Sequence, residues 1–209
     1  MLFTEGRVAG LILLASLVPF VLFGVTAVRG ESPAIYGLFR PIEDLASRLP
    51  VSAWGLVWQL TSLILVLAGF GILTSQLQAR GEMFLPLLGF GLLLVSVALT
   101  SIEGSFYQFM SPWAAQESVR TGSTPEVFQA MFKWMNTSLQ IVYMLFGLVA
   151  YGAYGWSILR AGYLPPWAGW TTIGWAAGWL IFTAVSQTTL PMSVFLWPWV
   201  LGAIILSQA

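Results

Sequence analysis

Glu103 is the acidic residue that adjoins a hydrophobic stretch of this chain, between Ile102 and Gly104. An ionisable group within a bilayer is costly, so it is a functional hypothesis by default. Side chains that could share its depth are Gln59, Tyr107, Asn136, Gln140 and Gln187, with Trp58 and Trp134 nearby. Together they predict a half-apolar pocket with a few orienting polar groups, in which Glu103 serves a small, partly apolar ligand as charge or proton partner. A plainer origin competes with this. Counted from Met83, Glu103 lies roughly 30 Å along its helix, where a carboxylate simply meets the headgroup region. Amides near helix ends also bond across helices, for about 0.6 kcal/mol each.

The rest of the chemistry is defined by what is missing. The chain has no His and no Cys, which removes the usual haem, zinc, copper and iron–sulfur ligands and the common general base. The single lysine, Lys133, precedes a span, so no mid-bundle Schiff-base lysine is available. No catalytic, metal or cofactor site is expected. Eight basic residues balance eight acidic ones, which gives no electrostatic footprint for nucleic acid.

Those side chains need helices to hold them. Hydrophobic residues make up 58% of the 209 and charged residues only 8%, where soluble domains carry roughly a quarter as charge. The lipid bilayer is therefore the expected surrounding. At roughly 20 apolar residues per span, the pattern predicts an all-α, polytopic bundle in one domain, with about six spans. They are expected near 8–28, 51–73, 83–102, 136–159, 165–189 and 191–207. Val8 to Val28 also has a rival reading as a signal peptide, but its apolar part is long and its leading segment weakly charged. Pro165 and Pro191 suit helix starts, whereas Pro19 and Pro198 fall within spans and predict kinks.

Two longer connections carry short interfacial helices in this reading. Ile42, Leu45 and Leu49 share one face after Pro41, and Val127, Phe128, Met131, Phe132 and Met135 form an apolar stripe after Pro125. A single helix from Pro125 to Arg160 would be roughly 54 Å long, so it must protrude, tilt or break near Asn136, Thr137 and Ser138. Arg7, Arg80 and Arg160 fall on the side of the short turns, while the other basic residues lie in the longer loops among five acidic ones. Density and net charge place the termini in the cytoplasm, although raw basic counts favour the loop side. Trp54, Trp134, Trp156 and Trp167 fit an aromatic belt, and the deeper Trp175, Trp179, Trp197 and Trp199 fit packing better than a pigment or quinone pocket. Gly6/Gly10 and Gly174/Gly178 have the spacing of close helix approach, expected within the bundle rather than in a dimer.

Arg7-Val8-Ala9-Gly10 before an apolar run, and the helix end Tyr154-Gly155 to Arg160 followed by Tyr163-Leu164-Pro165 and Trp167 to Gly174, carry a family resemblance. The chain resembles the bacterial six-helix membrane proteins grouped as domain of unknown function 4386. The likeness covers both ends and the helix order. It implies a fold and a bacterial inner-membrane location and supplies no catalytic residues, and Ser111 to Thr124 departs from it.

Three functions remain open on sequence alone. The first is a membrane-embedded binding or transport protein using the Glu103 cluster. The second is an accessory subunit packed against other membrane-protein subunits, which suits a charge-poor, Trp-rich and Gly-rich exterior. The third is a lipid-modifying enzyme acting through Glu103 and Tyr107, disfavoured by the absent His and by the lack of a second carboxylate in the span.

Overall fold

A computed structural model describes residues 5–33, 36, 40–186 and 192–208. Gln187 and Pro191 therefore lie outside the described residues. Within them the architecture is all-helical. The elements are α1 (Glu5–Ala15), α2 (Leu17–Val28), a 3₁₀ helix (Ile42–Arg48), α3 (Trp54–Ala79), α4 (Phe84–Thr121), α5 (Glu126–Trp134), a π turn (Met135–Leu139), α6 (Gln140–Ala161), α7 (Pro166–Ser186) and α8 (Met192–Gln208). Among the described residues four helical stretches are long and apolar enough to cross a membrane: Gly6–Val28, Trp54–Ala79, Phe84–Thr121 and Glu126–Ala161. Their outer faces are apolar, as at Val18, Ile64 and Phe84, which suits contact with lipid rather than water.

The helices pack in a closed order. α3 lies against α1, α2 and α4, α4 against α6, and α6 against α7, while α8 packs chiefly on α1 and more lightly on α6 and α7. Glycines set the closest approaches. A Cβ on Gly10 would stand 2.9 Å from the Gly202 carbonyl, and a Cβ on Gly202 2.9 Å from that of Gly10, so α1 and α8 cross backbone to backbone. Gly155 and Gly169 do the same for α6 and α7, at 2.8 Å each way. Gly6 meets Tyr163, whereas Gly174 and Gly178 face open space on the outside of α7, contrary to the expected in-bundle contact for that pair.

Proline effects are local and compensated. Pro19 has no N–H, and its ring crowds the carbonyl four residues back. The helix is interrupted at Ser16, between α1 and α2, rather than at the proline itself. The Phe20 N–H reaches the Ser16 carbonyl at a long 3.4 Å, and the Ser62 hydroxyl of α3 donates to the same oxygen at 2.8 Å. The Ser16 hydroxyl donates to the Leu13 carbonyl and accepts from the Trp199 indole, so one residue ties α1, α3 and α8. α8, by contrast, runs unbroken through Pro198.

Two expected boundaries are corrected. The second apolar helix continues past Leu73 to Ala79, because Thr74 returns its hydroxyl to the Phe70 carbonyl and meets the Tyr154 hydroxyl at 2.6 Å instead of ending the helix. The third does not stop at Ile102. It runs 38 residues to Thr121, through Pro112, before Gly122 at φ +77° ends it. At roughly 57 Å this helix far exceeds a hydrocarbon core of about 30 Å. The expected break near Asn136 takes the form of the π turn that separates α5 from α6.

The buried apolar residues form two clusters. The larger fills the bundle and includes Leu13, Phe70, Leu93, Tyr151, Tyr154 and Leu201. The smaller, with Tyr36, Ile42, Leu45, Phe106, Ala115 and Phe128, is a cap made by the 3₁₀ helix, the distal half of α4, α5 and the π turn. At the opposite end Arg160 pairs with Glu82 at 2.9 Å, while Arg80 donates to the Gly162 carbonyl and lies 4.9 Å over the Tyr163 ring. Burial pushes the Tyr163 phenol above its ordinary range, and the Arg80 cation pulls the other way.

Candidate functional site

The site follows from α4 being one helix. Ser96, Thr100, Glu103, Tyr107 and Ser111 recur at steps of three and four, so they share a single face. All five are buried. On the bundle side, Ser96 donates to the Tyr143 carbonyl of α6 at 2.8 Å, and Thr100 returns its hydroxyl to the Ser96 carbonyl. Glu103 sits where the face passes from bundle to cap, with Leu99 packed against both apolar clusters.

Glu103 is 8% exposed, and Tyr107 and Tyr143 are polar neighbours of its side chain. Tyr107 donates to Asn136 Oδ1 at 2.9 Å, and Asn136 Nδ2 donates to the Phe132 carbonyl at 2.9 Å. The π turn is what presents Asn136 to α4. On the other side Tyr143 also meets the Gln140 side chain. Gln59 arrives from α3 by a different route. Its Oε1 would be only 2.6 Å from a Cβ on residue 104, so the bare Cα of Gly104 makes the room it occupies.

Two small voids border the turns of α4 before and after Glu103. On the loop side Phe23, Ser32, Leu56, Gln59, Gly104 and Tyr107 border a partly open cleft with room for about one water. Toward the bundle centre Ser96, Thr100, Tyr151, Val194 and Pro198 border a more enclosed space of similar size.

Glu103, Gln59, Tyr107, Asn136 and Gln140 are thus drawn together. Trp58 and Trp134 are not: Trp58 stacks on the outward Trp54 at 5.5 Å, and Trp134 is half exposed. Gln187 is outside the described residues. No family model, curated protein or solved structure matches the chain.

Tyr143 and Gly104 are the members that sequence reasoning missed. Tyr143 stands three residues after Gln140 and seven after Asn136, on the same helical face, and that spacing was the available signal. Of the deep tryptophans, Trp197 is buried with its ring 5.3 Å from that of Trp175, and Trp199 donates to Ser16. Among the described residues no three metal-ligating side chains converge.

Proposed function

We propose that the chain is a multi-pass membrane protein that binds, or carries, a small and partly apolar ligand at the Glu103 cluster. The observation that supports this most is the buried Glu103 itself, set between two apolar clusters, with Gly104 and Tyr107 of the same helix bordering a partly open cleft. Polar groups from three helices and the π turn converge there, which suits orientation of a ligand better than helix-end solvation. In this proposal α7, 21 residues and roughly 31 Å long, and α8 also span, giving six crossings. The 3₁₀ helix and α5 lie at the outer interface, and the termini are cytoplasmic, as the charge density of the short turns suggests.

The test is a thermal-shift panel of small amphiphiles (amines, alcohols and quinols) on the detergent-solubilised chain. A stabilising compound is expected to lose its effect in Glu103→Gln and Gln59→Ala and to keep it in Trp134→Phe. Stabilisation that survives Glu103→Gln places binding elsewhere.

A second reading, an accessory subunit, is favoured by the outer face of α7. A Cβ on Gly174 or Gly178 there would meet nothing within 4 Å, and Trp170 and Ile181 on the same helix are 58% and 64% exposed. Native mass spectrometry from mild detergent that finds only monomer removes that reading.

A further inference from the structure

Arg29, Arg40 and Arg48 belong to no basic run in the sequence, yet the fold gathers two of them at one point with the third beside it. Gly30 follows α2 at φ +74°, a left-handed conformation that favours glycine. A Cβ there would stand 2.9 Å from Arg40 Nη1, 3.0 Å from the Tyr36 hydroxyl and 3.1 Å from Arg48 Nη1. The two guanidinium nitrogens are therefore at most about 6 Å apart, and the oxygens of a single phosphate can take a bond of about 2.8 Å from each. Arg29, which is exposed, directly precedes Gly30. The buried Tyr36 donates to the Gly30 carbonyl at 3.1 Å and so fixes the turn over which the arginines meet.

Bringing like charges together is unfavourable unless an anion lies between them. No carboxylate of the chain does so here. Among the described residues the ion pairs are Arg120 with Glu117 and Arg160 with Glu82, so Glu31, Glu43 and Asp44, though near in sequence, pair with none of the three arginines. Attraction to the carbonyl end of α2 accounts for one contact, the 3.3 Å bond from Arg48 Nη1 to the Arg29 carbonyl, and leaves the approach of Arg40 unexplained. Depth narrows the choice of anion. The helical stretch Gly6–Val28 is long and apolar enough to cross a membrane, and Arg29 follows it directly. α3 begins alongside, where a Cβ on Gly55 would be 3.2 Å from Ser32 Cβ. Its neighbour Trp54 is 60% exposed and stacks on Trp58, as suits tryptophans at the headgroup level. We propose that Arg40 and Arg48, with Arg29 beside them, form a binding site for the phosphate of an anionic membrane lipid, held by the forked donors that guanidinium groups present. The site uses no residue of the Glu103 cluster.

The test is native mass spectrometry of the full chain released from mild detergent, titrated in separate arms with phosphatidylglycerol, with diacylglycerol of the same chains, and with inorganic phosphate. Phosphatidylglycerol is expected to bind the wild type, with its dissociation constant raised at least about tenfold in Arg40→Gln/Arg48→Gln, because charge-assisted bonds are lost. Diacylglycerol, which lacks the phosphate, should not distinguish the two proteins. Arg120→Gln/Lys133→Gln removes the same charge from exposed positions of the cap and should change the constant by less than about twofold, since separated surface charges are screened. Equal losses in the two double variants would reduce the effect to general surface charge and overturn the proposal, as would no loss in either. Inorganic phosphate that displaces phosphatidylglycerol assigns the site to a soluble phosphate and overturns the lipid as its source. Should the first double variant melt early, Arg48→Lys keeps the charge without the fork, and its affinity should fall below that of the wild type. Wild-type affinity in Arg48→Lys contradicts the forked contact. Glu103→Gln should bind the lipid as the wild type does, which keeps these outcomes separate from those of the amphiphile panel.

Discussion

Tyr151 donates its hydroxyl hydrogen to the carbonyl of Val194 at 2.5 Å, and that carbonyl is the one Pro198 leaves without a backbone donor four residues on. A side chain of α6 thus repairs the ladder of α8, which is how a proline is tolerated where no water is available to do so. Tyr151→Phe should cost about 1–3 kcal/mol, the penalty of an unsatisfied buried acceptor. Pro198→Ala, which restores the backbone donor, should recover most of that loss in the double variant. Reversible unfolding in mixed micelles measures the coupling, and simple additivity of the two changes would contradict it.

The Gly10–Gly202 crossing predicts a contrast with the outer face of α7. Gly202→Ala places a methyl 2.9 Å from a backbone oxygen that cannot move aside, and overpacking of this kind costs about 1–3 kcal/mol. Gly174→Ala meets open space and should leave the melting temperature unchanged or slightly raised. Equal effects at the two positions would mean that α1 and α8 do not meet in this way.

Ser16 joins three helices, so its removal should exceed the typical value for one interhelical bond. Ser16→Ala strands the Trp199 indole donor and should cost about 1–3 kcal/mol. Ser62→Ala loses a donor to a carbonyl that keeps its backbone partner, and should cost about 0.6 kcal/mol. The order of the two, read from unfolding midpoints, is the test.

Gly104→Ala should separate the site from the scaffold. The added methyl strikes the far end of the Gln59 side chain, which can swing away, so stability should change by under about 1 kcal/mol. Any ligand-induced thermal shift should fall at the same time, because Gln59 leaves the cleft. A preserved shift would remove Gln59 from the site.

Arg160 and Glu82 hold the two short turns together, and the Glu82 side chain is only 11% exposed. Arg160→Ala should destabilise by about 0.2–1 kcal/mol, with an effect that shrinks as salt is raised, since the Arg160 side of the pair is largely exposed. A salt-independent loss would point to packing instead.

Much of this architecture is legible in the residues themselves. Apolar runs of about 20 residues and scarce charge leave helices as the economical way to satisfy every backbone group. Lone polar side chains near their ends identify Gln59, Glu103, Tyr107, Asn136 and Gln140 as a group, because helical periodicity is a local property of the chain. The end of α4 was not legible, since Ser111-Pro112 and the polar residues beyond it look like a loop until Ile42, Leu45 and Phe128 are seen to bury that stretch as a cap. Nor could any local signal show that Trp134 turns outward. Sequence determined which helices form and which faces are polar. Tertiary packing alone decided that Glu103 is buried rather than at a water-facing helix end, because the two apolar clusters on either side of it are built from chain segments distant in sequence.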